Sequence, residues 1–468
     1  MSTVHPDRLL PADPATRDVA RRLYQEVADA PILSPHGHVS PSLLLDDASF
    51  GSPSELLITP DHYVTRVLHS AGVPLDQLGR TTDGAPSTVA SETIWRHLAE
   101  HWHRFLGTPV RYWMEHQLGE LFDITEPLTP ANADAVHDRI ATTLADVGFR
   151  PRALFERFGL EVLATTDDPA DDLAAHRALA EDPDFTGRVL PTWRADRFMT
   201  PDQASWPAAL DALAERTGID CSSYASMVRA LRASRQYFID HGCTATDTGV
   251  ADAGSAPLDE AEAERIHGRG LRGEASSAEA AAYRHNLLYR FAEWSCEDGL
   301  VMQLHPGVIR NHHRPTFDRF GADAGADLPD VASFTRPLTP LLQDFGTNPN
   351  LHLVLFTVDE TAFSREIAPL AGFYPAVYVG APWWFIDTPA AIRRFRAAAV
   401  DSAGWFKTSG FIDDTRAFCS IPARHDMSRR CDAADLAERV TTHQLSEDDA
   451  VRVARALVDE VPRTTFKL

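Results

Sequence analysis

Two histidines stand one residue apart in ILSPHGHVSP (residues 32–41): His36 and His38, with Gly37 between them. In an extended segment alternate side chains share a face, so both imidazoles can reach one ion, and Gly37 leaves room for a close backbone approach. Imidazole nitrogens and a carboxylate oxygen at about 2.0–2.2 Å suit zinc or a similar divalent ion. Other reactive side chains are spread along the chain: Arg194 in LPTWRADRF, Asp247 in GCTATDTG, His305 in QLHPGVIRN, Trp383 and Trp384 in APWWFID, and Asp414 with Arg416 in FIDDTR. A planar guanidinium grips a carboxylate with two parallel hydrogen bonds, so arginines gathered in one pocket of an acidic protein point to an anionic substrate. An indole offers an apolar wall to a sugar face. Each residue alone has a plainer explanation: a loop histidine, an arginine paired with a structural aspartate, a core tryptophan, a buried histidine satisfied by backbone. Only a shared location lifts them above it.

The elements that would supply that location are short apolar, β-branched runs between longer amphipathic segments. There are eight, at 31–37, 160–168, 187–194, 242–249, 300–307, 351–359, 376–385 and 407–416. Helical patterns lie between them, among them 169–182, 259–271, 277–298 and 388–402. Strand-helix alternation predicts a parallel sheet, and eight units without a GxGxxG turn favour a closed α/β barrel over a doubly wound sheet. In such a barrel the C-terminal strand ends converge on one face, and each reactive residue above sits at or just beyond such an end. Closure brings the eighth strand beside the first, which makes Asp414 the natural third ligand for His36 and His38. His305 could be a fourth ligand or a substrate hydrogen-bond donor, while His312 and His313 read as solvated loop residues. The gap from about residue 40 to 159 is too long for one crossover and contains helical patterns such as PDHYVTRVLHSAG, so a helical insertion is expected after strand one within a single domain spanning 1–468.

Composition narrows the partners. Lysine and arginine total 44 against 67 aspartate and glutamate, a formal net charge of -23 that argues against nucleic acid and anionic membranes but leaves a small anion in an arginine-lined pocket open. Five cysteines, an odd and scattered set without a CxxC, indicate neither a disulfide framework nor a thiolate zinc site. No leader-like segment and no run of about 20 apolar residues is seen, so the cytoplasm is the expected compartment. A homo-oligomer is expected.

The series RRLYQEVADAPILSPHGHVSP, PDHYVTRVL, RFLGTPVRYW, ATTDDPADDL, VLPTWRADRF, YFIDHGCTATD, QLHPGVIRNHH, WWFID and GFIDDTRAFCSIPARHD resembles the uronate (glucuronate) isomerases, an offshoot of the amidohydrolase superfamily, over nearly the whole chain. The resemblance implies a distorted (β/α)8 TIM-like barrel and an aldose-ketose isomerase that interconverts D-glucuronate with D-fructuronate and D-galacturonate with D-tagaturonate. It implies one loosely held divalent metal, expected to be zinc, on His36, His38 and Asp414. It brings in His62 and Tyr63 from the insertion as substrate contacts, makes Arg194 and Arg416 polar clamps, and completes the pocket with Asp247, His305 and a tryptophan of the Trp383–Trp384 pair. The chain departs from the family pattern at Ser34, Gly37 and Thr248, and is one residue longer between Phe418 and Arg424. These changes spare the ligands and fall on their surroundings, which tune metal sites and sugar preference.

An aldose-ketose isomerase moves a proton from C2 to C1 through a cis-enediol, and its obstacle is a poorly acidic C–H bond. Polarising the C1 carbonyl lowers that barrier and a carboxylate carries the proton. Asp414 is the first candidate for that base and Asp247 the second, with Tyr63 and His305 steadying the enediol oxygens. No nicotinamide, flavin or ATP loop is visible, so no nucleotide cofactor is expected. Two rivals remain: a metal-dependent hydrolase that activates water, and a non-catalytic sugar-acid-binding barrel. The full His36, His38, Arg194, Asp414 and Arg416 set exceeds what binding alone requires.

Overall fold

The computed structural model describes residues 3–82, 85 and 87–468. Among the described residues ten strands are formed: β1 (Ile32–Ser34), β2 (Leu160–Ala164), β3 (Arg188–Leu190), β4 (Thr192–Arg194), β5 (Ala245–Thr248), β6 (Val301–Leu304), β7 (Val308–Ile309), β8 (Leu328–Pro329), β9 (Leu353–Leu355) and β10 (Val377–Val379). They pair in parallel as β1-β2-β3 and β10-β9-β6-β5-β4, while β7 and β8 make a small antiparallel ribbon outside this order. The third run is thus two strands, broken at Pro191, which has no N–H to give to a ladder. A parallel bridge between Asp167 and Trp193 carries the order across that break.

The order is that of a β/α barrel, but its hydrogen-bonded ring is open. The eighth run, 407–416, forms no strand and holds only a bridge from Thr408 to Val379. One backbone bond, His38 N–H to the Thr415 carbonyl at 3.1 Å, ties it to the segment after β1. The physical reason is local. Gly410 and Asp414 take left-handed backbone conformations (φ 74° and 40°), which interrupt an extended segment.

Helices fill the crossovers largely where periodicity places them, as at Glu260–Leu271, Ser277–Asp298 and Pro389–Ala403. The 22-residue helix Ser277–Asp298 starts on a capping box, with the Ser276 hydroxyl receiving the Glu279 N–H and Glu279 reaching back to the Ser276 N–H. Between β1 and β2 run helices including His62–Ser70, Ser91–His101, Pro109–Phe122 and Ala133–Leu144. They share an apolar core that includes Trp95, Trp113 and Leu118 with Ile421, Met427 and Cys431 of the helix Ile421–Thr441. That packing fixes the insertion over the strand ends. Among the described residues no helix is long and apolar enough to cross a membrane.

Candidate active site

His36 and His38 lie just past the end of β1, so strand alternation is not what aligns them. The turn at 36–38 and the left-handed residue Asp414 do it instead. Asp414 Oδ1 stands 3.3 Å from His36 Nε2 and 3.1 Å from His38 Nε2. That oxygen is buried and receives no hydrogen bond of good geometry. Ligand atoms at 2.0–2.2 Å from one tetrahedral ion stand about 3.3–3.5 Å apart, so the three groups fit a divalent metal in both donor type and spacing. Burial opposes ionisation of Asp414, but the two imidazoles facing it outweigh burial and hold its carboxyl well below the usual range. Burial keeps His38 easier to deprotonate than a free imidazole, the form a metal requires.

Behind the histidines runs a charged chain. Register pairs Arg194 of β4 with Asp247 of β5. Arg194 Nε gives a 2.8 Å bond to Asp196, and its Nη1 lies 3.1 Å from Asp247 Oδ2. Asp247 Oδ1 accepts from His305 Nδ1 at 2.7 Å. The His305 ring stacks on His36 at 4.8 Å, and its Nε2 is buried with no partner. Because Nδ1 donates to a carboxylate and burial disfavours the imidazolium, Nε2 carries a lone pair, so His305 offers an acceptor and not the expected donor. Arg194 stands between two carboxylates of its own protein. Burial costs Asp247 stability as an anion, but Arg194 and His305 overcome that and keep it ionised. His36, Asp247 and His305 are also close enough to be a second ligand cluster, yet the Arg194 guanidinium already supplies positive charge there.

A cavity of about 60 Å³ opens in front of the histidines, lined among others by His38, His62, Tyr63, Trp383, Trp384, Asp414 and Arg416. The insertion delivers His62 and Tyr63 because Asp61 caps their helix, accepting the Tyr63 N–H at 2.9 Å. His62 Nε2 is buried without a partner, and burial holds the ring neutral. Tyr63 donates its hydroxyl to Asp387 Oδ2 at 2.8 Å, so it too faces the cavity as an acceptor. Trp384 meets the His62 ring edge-on at 5.3 Å and Trp383 meets His305 at 4.7 Å, so both indoles belong to the site and neither is plain core. Arg194, Asp247 and His305 are not among the cavity's lining residues.

Three further residues line the cavity or hold its lining. Arg424, almost wholly buried, lies 3.7 Å over the Trp113 ring and reaches Asp387 Oδ2 at 3.3 Å. Asp387 thereby joins Tyr63 of the insertion to Arg424 of the helix Ile421–Thr441, and its Oδ1 is left without a donor. Arg310 lies 5.3 Å from the centre of the Trp384 ring. Asp387 and Arg424 fall inside WWFID and IPARHD, but no spacing rule links them, because their partners come from the insertion.

The family model for glucuronate isomerase matches residues 13–461. This chain belongs to the glucuronate isomerase family. Among members of that family, a uronate isomerase of Corynebacterium efficiens is 51% identical over 99% of this chain and 98% of its own length. One from Rhizorhabdus wittichii is 49% identical over 99% and 98%. The crystal structure of glucuronate isomerase from Caulobacter crescentus superimposes with a TM-score of 0.97 at 42% identity, covering 100% of this chain and 98% of that one. The uronate isomerase structure from Thermotoga maritima gives 0.92 at 27%, covering 99% of both. The barrel architecture of the family is therefore this chain's fold.

Proposed function

We propose that this chain is a uronate isomerase acting on D-glucuronate and D-galacturonate, giving D-fructuronate and D-tagaturonate. The observation that carries the reading is the convergence of His36, His38 and Asp414 beside a cavity that also presents Arg416, in a chain of this family throughout its length. Arg416 is the group placed to bind the sugar's C6 carboxylate, and His62 with Tyr63 the groups placed to accept from its hydroxyls. Asp414 takes the C2 proton and returns it to C1, while the hydroxyl proton of O2 passes to O1 as the carbonyl moves from C1 to C2. A carboxylate held this acidic stays ionised but is a weak base, so transfer depends on making C2–H acidic at that moment. A divalent ion on His36, His38 and Asp414 would supply a Lewis acid for the carbonyl oxygen. Arg194 acts indirectly in this account: it holds Asp247, which fixes the His305 tautomer against His36. That arrangement also favours isomerisation over two-metal hydrolysis, since the guanidinium sits where a second cation would be held. The role of Asp247 is therefore electrostatic support, and Asp414 is the base. Purified protein supplied with divalent metal and a panel of hexuronates should form the corresponding ketohexuronates, with the ketone at C2. Failure to convert any of them would overturn the proposal.

A further inference from the structure

The cavity is too small for the molecule it is proposed to take. Pockets that hold small molecules run from about 300 Å³ upward, and this one measures about 60 Å³. Beside it lies a groove of about 590 Å³ lined by Ser40, Ser42, Asp167 and Asp171 among others, and the two spaces share only His38 and Arg416. Something must move before a six-carbon acid can reach Asp414, and Arg416 stands at the boundary.

Arg416 is not free. Its Nη1 lies 2.8 Å from Asp323 Oδ2, both side chains are roughly two-fifths exposed, and the Asp323 carboxylate has no other hydrogen-bond donor among the described residues. Asp323 arrives on the loop between the helix Arg314–Phe320 and β8, itself in a left-handed backbone conformation (φ 58°). The loop and that helix are clipped to the insertion at several points. Arg80 donates to the carbonyls of Ala322 and Asp323 at 3.4 and 3.2 Å, Arg319 pairs with Asp76 at 2.6 Å, and Gly325 lies close against Arg66. The side chain that reaches Arg416 is a carboxylate, the same functional group that distinguishes a uronic acid from a neutral sugar.

We propose that Asp323 is a displaceable stand-in for the substrate carboxylate: it occupies Arg416 in the empty site, and the C6 carboxylate of a hexuronate replaces it as the loop withdraws. This rests on the isomerase reading above and names the residue that sets its selectivity. An anion can exchange one ion pair for another. A neutral aldose would have to leave Arg416 and Asp323 both unpaired, or fit a space that excludes it. Selection for the acid is then made by exchange at Arg416.

The test is Asp323→Asn, with steady-state kinetics on D-glucuronate and inhibition by acetate. Removing the internal competitor should lower KM by about two- to fivefold, the worth of a half-exposed ion pair, with kcat nearly unchanged. Acetate is expected to inhibit the wild type only weakly and the variant more strongly by a similar factor, because Arg416 is uncovered. Arg80→Ala, which loosens the loop without touching the site, should lower KM in the same direction by less. A KM that rises or stays level in Asp323→Asn, with acetate inhibition unmoved, would mean that Asp323 orients Arg416 during binding and would overturn the inference. If the wild type converts no hexuronate, the isomerase reading itself fails; if it does and only these shifts are missing, the exchange at Asp323 alone is wrong.

Discussion

Replacing Arg194 by methionine separates a substrate clamp from an internal brace. Methionine keeps most of the apolar stem and removes only the charge and the donors. At 3.1 Å, with an effective dielectric constant near 20, the attraction between Arg194 and Asp247 is about 5 kcal/mol before desolvation. Asp247 is only 2% exposed, so water cannot replace the lost partner, and breaking such a pair from one side costs about 3–5 kcal/mol. His305 remains on Oδ1, which places the expected loss near the lower figure, about 3 kcal/mol. Arg194→Met/Asp247→Asn removes the more deeply buried of the two stranded carboxylates, leaving Asp196, and should recover about 1–2 kcal/mol of the loss. The assay is the urea midpoint read by fluorescence of the nine tryptophans, compared as a rank order because a chain of 468 residues need not unfold in two states. The expected order is wild type, then the double variant, then Arg194→Met. A single variant as stable as the wild type but with a raised KM would show Arg194 to be a substrate clamp, and a double variant less stable than the single would refute the brace.

His38→Asn should weaken zinc binding by at least two orders of magnitude in calorimetric titration, while the urea midpoint stays close to that of the wild type because the residue lies outside the strands. Tyr63→Phe removes an acceptor for a sugar hydroxyl, held in place by Asp387, and should lower kcat/KM by about 10-fold, mostly through KM, in steady-state kinetics. Asp167 gives a pH test away from the metal ligands. Burial pushes its carboxyl up to about 7 against hydrogen bonds from Thr165 and the Thr192 N–H that lower it, so the folded state holds this proton more tightly than the unfolded one. Its contribution is full below about pH 4, where both states are protonated, and is lost as pH rises toward 7. Asp167→Asn should therefore gain about 2–4 kcal/mol on wild type at pH 8, with the advantage shrinking below pH 7 and gone by about pH 4. A pH-independent difference would refute this.

Much of the scaffold was legible because its signals are local. The helix Ser277–Asp298 announces itself by period and by Ser276 with Glu279 at its start, and the runs through β5 and β6 carry Asp247 and His305 at their C-terminal ends. The eighth run was not legible as it stands. KTSGFIDDTR has the composition of a strand, but Gly410 and Asp414 turn it, and that turn is what presents Asp414 to the histidines. Polar residues at strand ends identified His36, His38 and Asp414 as a set, since barrel order alone brings the first and last segments together. The same rule marked Arg194 as a clamp when its carboxylate neighbours, one of them only two residues away at Asp196, were already satisfying it. Asp323, Asp387 and Arg424 carried no signal, because each matters through a contact between distant segments of chain.

The central claim, that Asp414 moves a proton between C2 and C1, is tested most directly by turnover of D-glucuronate in deuterated water, with the product analysed by NMR. The Asp414 side chain is 17% exposed, so a proton resting on it can exchange with solvent during the life of the enediol. The account predicts carbon-bound deuterium at C1 of the ketose, growing at C2 of the aldose as the reaction cycles toward equilibrium, and loss of both turnover and exchange in Asp414→Asn. Complete conversion with no carbon-bound deuterium after many cycles, or wild-type exchange in Asp414→Asn, would contradict it.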